Sequence, residues 1–174
     1  MYVSLKIIQI FSLLLIVQTA VLCDLSNGRI PNALILAGLG MGFIYQIILN
    51  GTLGIILFLG GSFLPVVVFG ILYYFRMIGA GDVKLMSVTG AFTGPAVCFS
   101  CMLWSVMAGG ILSFILILYR RNLVSRLLYF KNYAEEYIRT GIWKPYLENT
   151  DESAEFCFSI PVFISVLGYI GGII

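Results

Sequence analysis

The stretch Met77-Ile78-Gly79-Ala80-Gly81-Asp82-Val83-Lys84-Leu85 sets a carboxylate behind two glycines, at the mouth of an apolar run. That run, residues 83–118, covers 36 positions. A helix needs about 20 residues to cross roughly 30 Å of hydrocarbon, so the run is too long for one span and adequate for two short ones. Gly94-Pro95 marks the break, because proline cannot continue the hydrogen-bond ladder. The division of this stretch sets the helix count, and with it the side of the membrane on which Asp82 falls.

Further apolar runs lie at about 3–22, 33–49, 53–75 and 157–174. With the divided run they predict an all-α, polytopic membrane protein of about six transmembrane helices. Composition agrees: of 174 residues, 60% are hydrophobic and 10% charged. Mean hydropathy is +1.04, whereas a soluble domain is typically about 25% charged. The expectation is one membrane-embedded domain over 1–174, with a polar segment at 119–158 between helices 5 and 6. Lys6 before the first run, and Leu22-Cys23 at its end, imitate a signal or lipoprotein peptide. The run is long enough to span, and leucine stands where a cleavage site wants a small residue, so the first helix is expected to be retained.

Basic residues orient the chain. With six spans and the first loop inside, Arg29, Arg76, Lys84, Arg120, Arg121, Arg126, Lys131, Arg139 and Lys144 share one side, and Lys6 lies toward the other. Both termini then face outward, and Asp24 and Asp82 meet the cytoplasmic boundary. Residues 119–144 hold six basic and two acidic residues, while 145–158 hold four acidic and none basic. Leu123, Leu127, Phe130, Tyr133 or Ala134, and Tyr137 or Ile138 recur at helical spacing. Either an amphipathic helix on the anionic inner leaflet or a solvated loop satisfies that pattern.

Histidine is absent, which excludes Ser-His-Asp, Cys-His and HExxH chemistry. Cys98 and Cys101 form a CxxC, but no second pair accompanies it, so the cysteines read as packing residues and no metal is expected. Asp24 and Asp82 are the only acids before position 135. Two aspartates at close range can share one proton. The ionised member takes a proton from water, and the protonated member polarises a scissile carbonyl, with no cofactor. Gly79 and Gly81 can adopt positive φ and admit an extended substrate strand. Equally, they form a flexible turn that leaves Asp82 as an N-cap or first-turn acid. Asp24 opens Asp24-Leu25-Ser26-Asn27-Gly28-Arg29-Ile30-Pro31-Asn32, in which Ser-Asn-Gly is a turn and Pro31 suits the first turn of helix 2. Alone it is as readily a boundary acid paired with Arg29. Lys84 either snorkels to the inner surface or supports the ionised member of the pair.

Together these two segments resemble a family. Asp24 with Arg29-Ile30-Pro31-Asn32, and Gly79-Ala80-Gly81-Asp82-Val83-Lys84-Leu85, are similar to the two aspartate regions of the type IV prepilin peptidases, GxGD aspartic proteases. The resemblance covers about residues 3–118, and Phe158-Ser159-Ile160-Pro161 is faintly like the family's proline-containing entry to its last helix. It implies a membrane aspartic endopeptidase that cuts the short basic leader from pilin-like precursors at the cytoplasmic face of a bacterial inner membrane. Asp24 and Asp82 then carry over as the catalytic pair, and Gly79 and Gly81 as motif glycines. Arg29, Pro31, Asn32 and Lys84 are candidate supports. The double-CxxC domain of the larger bifunctional members has no counterpart, so no methyltransferase activity is expected. The small form resembles the peptidases of Tad (Flp) pili. Expected partners are prepilin precursors and the bilayer, with no nucleic acid.

Two rivals remain at this point. Presenilin-type proteases also use GxGD, but they place both aspartates within helices and carry a proline-alanine-leucine motif that is missing here. A non-catalytic assembly factor or small transporter would use the acids as an ion site or as caps.

Overall fold

Apolar residues recur every third or fourth position, and the helices bury the stripes that result. In a computed structural model, residues 2–75, 78–119 and 157–172 are described. Among them the elements are α1 (Tyr2–Asn27), α2 (Asn32–Asn50), α3 (Thr52–Tyr74), α4 (Ala80–Thr93), α5 (Pro95–Tyr119) and α6 (Ser159–Ile170), with no strand. The α1 stripe is Leu13, Ile16, Val17 and Ala20. On α2 it is Ile35, Gly38, Gly42 and Gln46, and on α3 Gly54, Gly61, Pro65 and Phe69. The other faces carry long apolar side chains in the open, among them Phe11, Leu36, Ile56, Phe63 and Met107. Such faces suit lipid and not water.

The fold is therefore a polytopic membrane bundle, with six helices on the expected apolar runs among the described residues, not all of them of spanning length. Four are long and apolar enough to cross a membrane: Ser4–Asn27, Asn32–Asn50, Thr52–Tyr74 and Pro95–Leu116. The other two are shorter. At 1.5 Å per residue, the 14 residues of α4 reach about 21 Å and the 12 of α6 about 18 Å, less than the hydrocarbon thickness. The break expected at Gly94-Pro95 occurs there: α4 stops at Thr93, Gly94 takes φ 82°, and α5 starts on Pro95.

The chain forms two units, Met1–Gly109 with Cys157–Ile174, and Gly110–Phe156. In the first, α4 is the central helix and packs on α1, α2, α3 and α6. It is buried at Asp82, Val83 and every position from Leu85 to Phe92. Small residues permit this. Gly61 of α3 and Gly90 of α4 meet backbone to backbone, so a Cβ on either would collide with the other's carbonyl. Cys98 and Cys101 are buried packing residues, and Cys98 Sγ lies 3.8 Å from the Met86 carbonyl oxygen. In the second unit the described residues are 110–119, the last turns of α5. The polar segment expected over 119–158, with its amphipathic stripe, lies outside the described residues except at its ends.

Short helices leave backbone carbonyls to satisfy inside the bundle. The Phe92 carbonyl at the end of α4 accepts from the Gln46 side-chain amide at 3.0 Å, and also from the Gln9 amide. Asn50 in turn donates to Gln46 Oε1 at 2.8 Å. Ser12 and Tyr45 lie in hydrogen-bonding contact at 3.3 Å nearby. Two helices, α1 and α2, thus close the open end of α4 with amide and hydroxyl groups.

Candidate active site

At the opposite end of α4 the chain collects its two early acids. Asp24 lies in the last turns of α1, which runs through Asn27 and ends where the Gly28 amide bonds the Asp24 carbonyl at 2.8 Å. Gly28 adopts φ 61°, a left-handed helix stop that a side chain would resist. The helix thus runs past the apolar run ending at 22, because Cys23 to Asn27 continue it to the first residue that breaks it. A negative charge at this end opposes the helix dipole. Asp24 is half-buried, and its Oδ2 accepts a hydrogen bond from Ser159 Oγ at 2.6 Å.

Asp82 lies in the first turn of α4, outside the four spanning helices. It is 8% exposed, so its charge would lose most of its water. Burial first, and then the negative charge of Asp24, push its carboxyl from 3.8 up to about 7; a hydrogen bond from the Gly79 backbone opposes the rise. The two acids are therefore within electrostatic reach of each other. Near neutrality Asp82 is then part protonated within reach of the charge of Asp24, an asymmetry that an acid–base pair can use.

Positive φ plays no part at the motif glycines, and close approach matters at Gly79. Gly79 is extended at φ −73°, ψ 150°, and neither it nor Gly81 is among the glycines with positive φ. A Cβ on Gly79 would sit 3.1 Å from Asp82 Oδ2, and one on Gly81 would sit 3.4 Å from the Ile30 side chain. Bare backbone at Gly79 leaves room around the carboxylate, whereas a Cβ on Gly81 would make an ordinary contact with Ile30.

The supporting candidates divide. The partner of Asp24 is Ser159 and not Arg29, which is exposed. Pro31 precedes α2 as its cap, outside the first turn, with φ −61°, and its carbonyl accepts from Leu34 and Ile35. Lys84 Nζ donates to Asn32 Oδ1 at 2.9 Å, so these two residues tie the start of α2 to α4. The charges that act on Asp82 do not include Lys84.

Ser159 is the site residue that sequence reading missed. It opens α6 and is fully buried. A serine before an apolar run reads as a helix cap, and nothing local reveals a partner 135 positions away.

The arrangement can perform acid–base chemistry on a polar bond brought to this end of the bundle. Comparison with curated proteins and with solved structures finds no match. Comparison with protein families matches residues 10–114, which contain both acids, to the type IV leader peptidase family. That match spans more than half of a chain whose fold is a helical membrane bundle, and the protein belongs to the type IV leader peptidase family.

Proposed function

We propose that the protein cleaves the short basic leader from type IV pilin-like precursors at the cytoplasmic membrane face, with Asp24 and Asp82 as its catalytic pair. Family membership supports a leader-peptidase-like protease. The observation that carries the finer reading is Asp82 buried at the start of α4, its carboxyl pushed up to about 7 by burial first and then by the charge of Asp24, while Asp24 accepts from the Ser159 hydroxyl.

In the proposed reaction Asp24 accepts a proton from water as the water oxygen attacks the scissile carbonyl carbon. Asp82 donates its proton to the carbonyl oxygen, giving a tetrahedral diol. Asp24 then passes the proton it gained to the leaving nitrogen. Asp82 recovers its proton as the carbonyl re-forms, the C–N bond breaks, and the pair returns to its starting state. No metal or cofactor enters these steps.

The precursor's hydrophobic helix would insert beside the bundle and leave its basic leader in the cytoplasm. The membrane then fixes which bond reaches the pair. The distribution of Lys and Arg supports a bacterial inner-membrane orientation with both termini outside. The two aspartate segments resemble those of Tad-type pilus peptidases, which supports a pilin-like substrate. Co-expression with a pilin precursor tests the reading. Asp24→Asn and Asp82→Asn should each leave the precursor full-length, and normal processing by both variants would overturn it.

A further inference from the structure

We propose that Ser159 is a positioning residue for Asp24, fixing which carboxylate oxygen faces the chemistry. The proposal rests on the peptidase reading above and adds a residue beyond the family match, which ends at 114. A hydroxyl at a helix start ordinarily turns to its own backbone. The N-cap position of α6, Phe158, makes no side-chain cap bond, and the adjacent Ser159 hydroxyl reaches Asp24 Oδ2 at 2.6 Å. That length suits a hydrogen bond to a charged acceptor.

The start of α6 is held from several sides. The Phe158 ring meets Phe69 of α3 edge-on, with centroids 6.0 Å apart. A Cβ on Gly109 of α5 would come within 2.9 Å of the same ring. Ser159 and Pro161 are buried, so the hydroxyl donates from a fixed place. A donor on Oδ2 keeps the proton of the pair off that oxygen. Oδ1 of Asp24 is left to accept from water, and the proton resides on Asp82. α6 also turns its N-terminus toward Asp24, which offsets part of the unfavourable dipole of α1.

Full-length protein in lipid nanodiscs, acting on a precursor peptide with a basic leader and a hydrophobic helix, provides the test. Ser159→Ala should lower kcat by about 10- to 100-fold with KM within about twofold. Ser159→Thr, which keeps the hydroxyl, should restore most of the rate. If Ser159→Ala does not fold, Ser159→Cys replaces it as a weak donor of similar size. Cleavage by wild type and none by Asp24→Asn, with kcat unchanged in Ser159→Ala, would overturn the Ser159 role alone. Wild-type cleavage by Asp24→Asn would instead overturn the catalytic role of Asp24, on which the proposal rests. The contact then stands or falls on thermal melts of Ser159→Ala, Asp24→Ala and the double variant. Melting of the double no lower than the weaker single supports it, and additive losses overturn it.

Discussion

The two ends of α4 carry polar groups of opposite kinds. At its C-terminal end, Gln9, Gln46 and Asn50 are neutral amides engaged in fixed hydrogen bonds around the Phe92 carbonyl. At its N-terminal end, Asp24 and Asp82 are titratable, and one raises the proton affinity of the other. Both ends interrupt an apolar bundle and cost desolvation. The amide end recovers that cost in hydrogen bonds that satisfy a helix terminus. The acid end keeps a buried carboxyl near its titration point, so part of the cost remains uncompensated. Polar groups in a membrane thus mark either closure of the backbone or chemistry, and the ability to change charge separates the two.

The sharpest way to break this contrast is to neutralise the acids. Asp24→Asn and Asp82→Asn should each lower precursor cleavage by more than about 10³-fold, on the scale of losing a member of an acid–base pair. The second-largest effect is on pH. If protonated Asp82 polarises the carbonyl, single-turnover cleavage should fall about tenfold per pH unit above about 7. Stability carries the same sign. The folded carboxyl sits above its ordinary 3.8, so the native state holds a proton that the unfolded chain gives up between about pH 4 and 7. This contribution is complete below about 4 and is lost as pH rises through 7. Asp82→Asn should therefore melt higher than wild type at pH 8, by an amount on the order of a few kcal/mol, and match it at pH 4.

At the amide end the pattern should invert. Gln46→Leu removes one donor from the Phe92 carbonyl and the acceptor of Asn50. It should cost about 1–2 kcal/mol in detergent melts and leave kcat of the folded fraction near wild type. A pH-dependent loss of kcat there would erase the distinction between the two ends. The smallest effect belongs to the rim: Asn32→Ala removes the exposed Lys84 contact and should cost under about 1 kcal/mol.

Much of the bundle was legible because lipid imposes simple rules. The apolar runs located α2 and α3, and Gly94-Pro95 located the α4–α5 break, since proline and a positive-φ glycine are punctuation that tertiary packing rarely overrides. The end of α1 was less legible. Hydropathy falls at Cys23, but helical geometry persists to Asn27, because hydrogen bonding and not apolarity decides where a helix stops. The two acids stood out because charge is scarce in this chain. The raised carboxyl of Asp82 did not, since it depends first on a burial that only the assembled helices create. Ser159 was hidden for a further reason. A lone hydroxyl has many local uses, and its partner lies on the first helix.

The Gly61–Gly90 contact has a mechanical consequence. Two backbones in direct contact have no side chain between them to yield, so α3 and α4 move as one stiff body, and Asp82 travels with it. Asp24 rides on α1, which meets its neighbours through deformable side chains such as Ile16 against Gly38 and Gln9 at the Phe92 carbonyl. The place of Asp82 is thus set by backbone against backbone, whereas that of Asp24 is set by side chains, among them the Ser159 hydroxyl on its Oδ2.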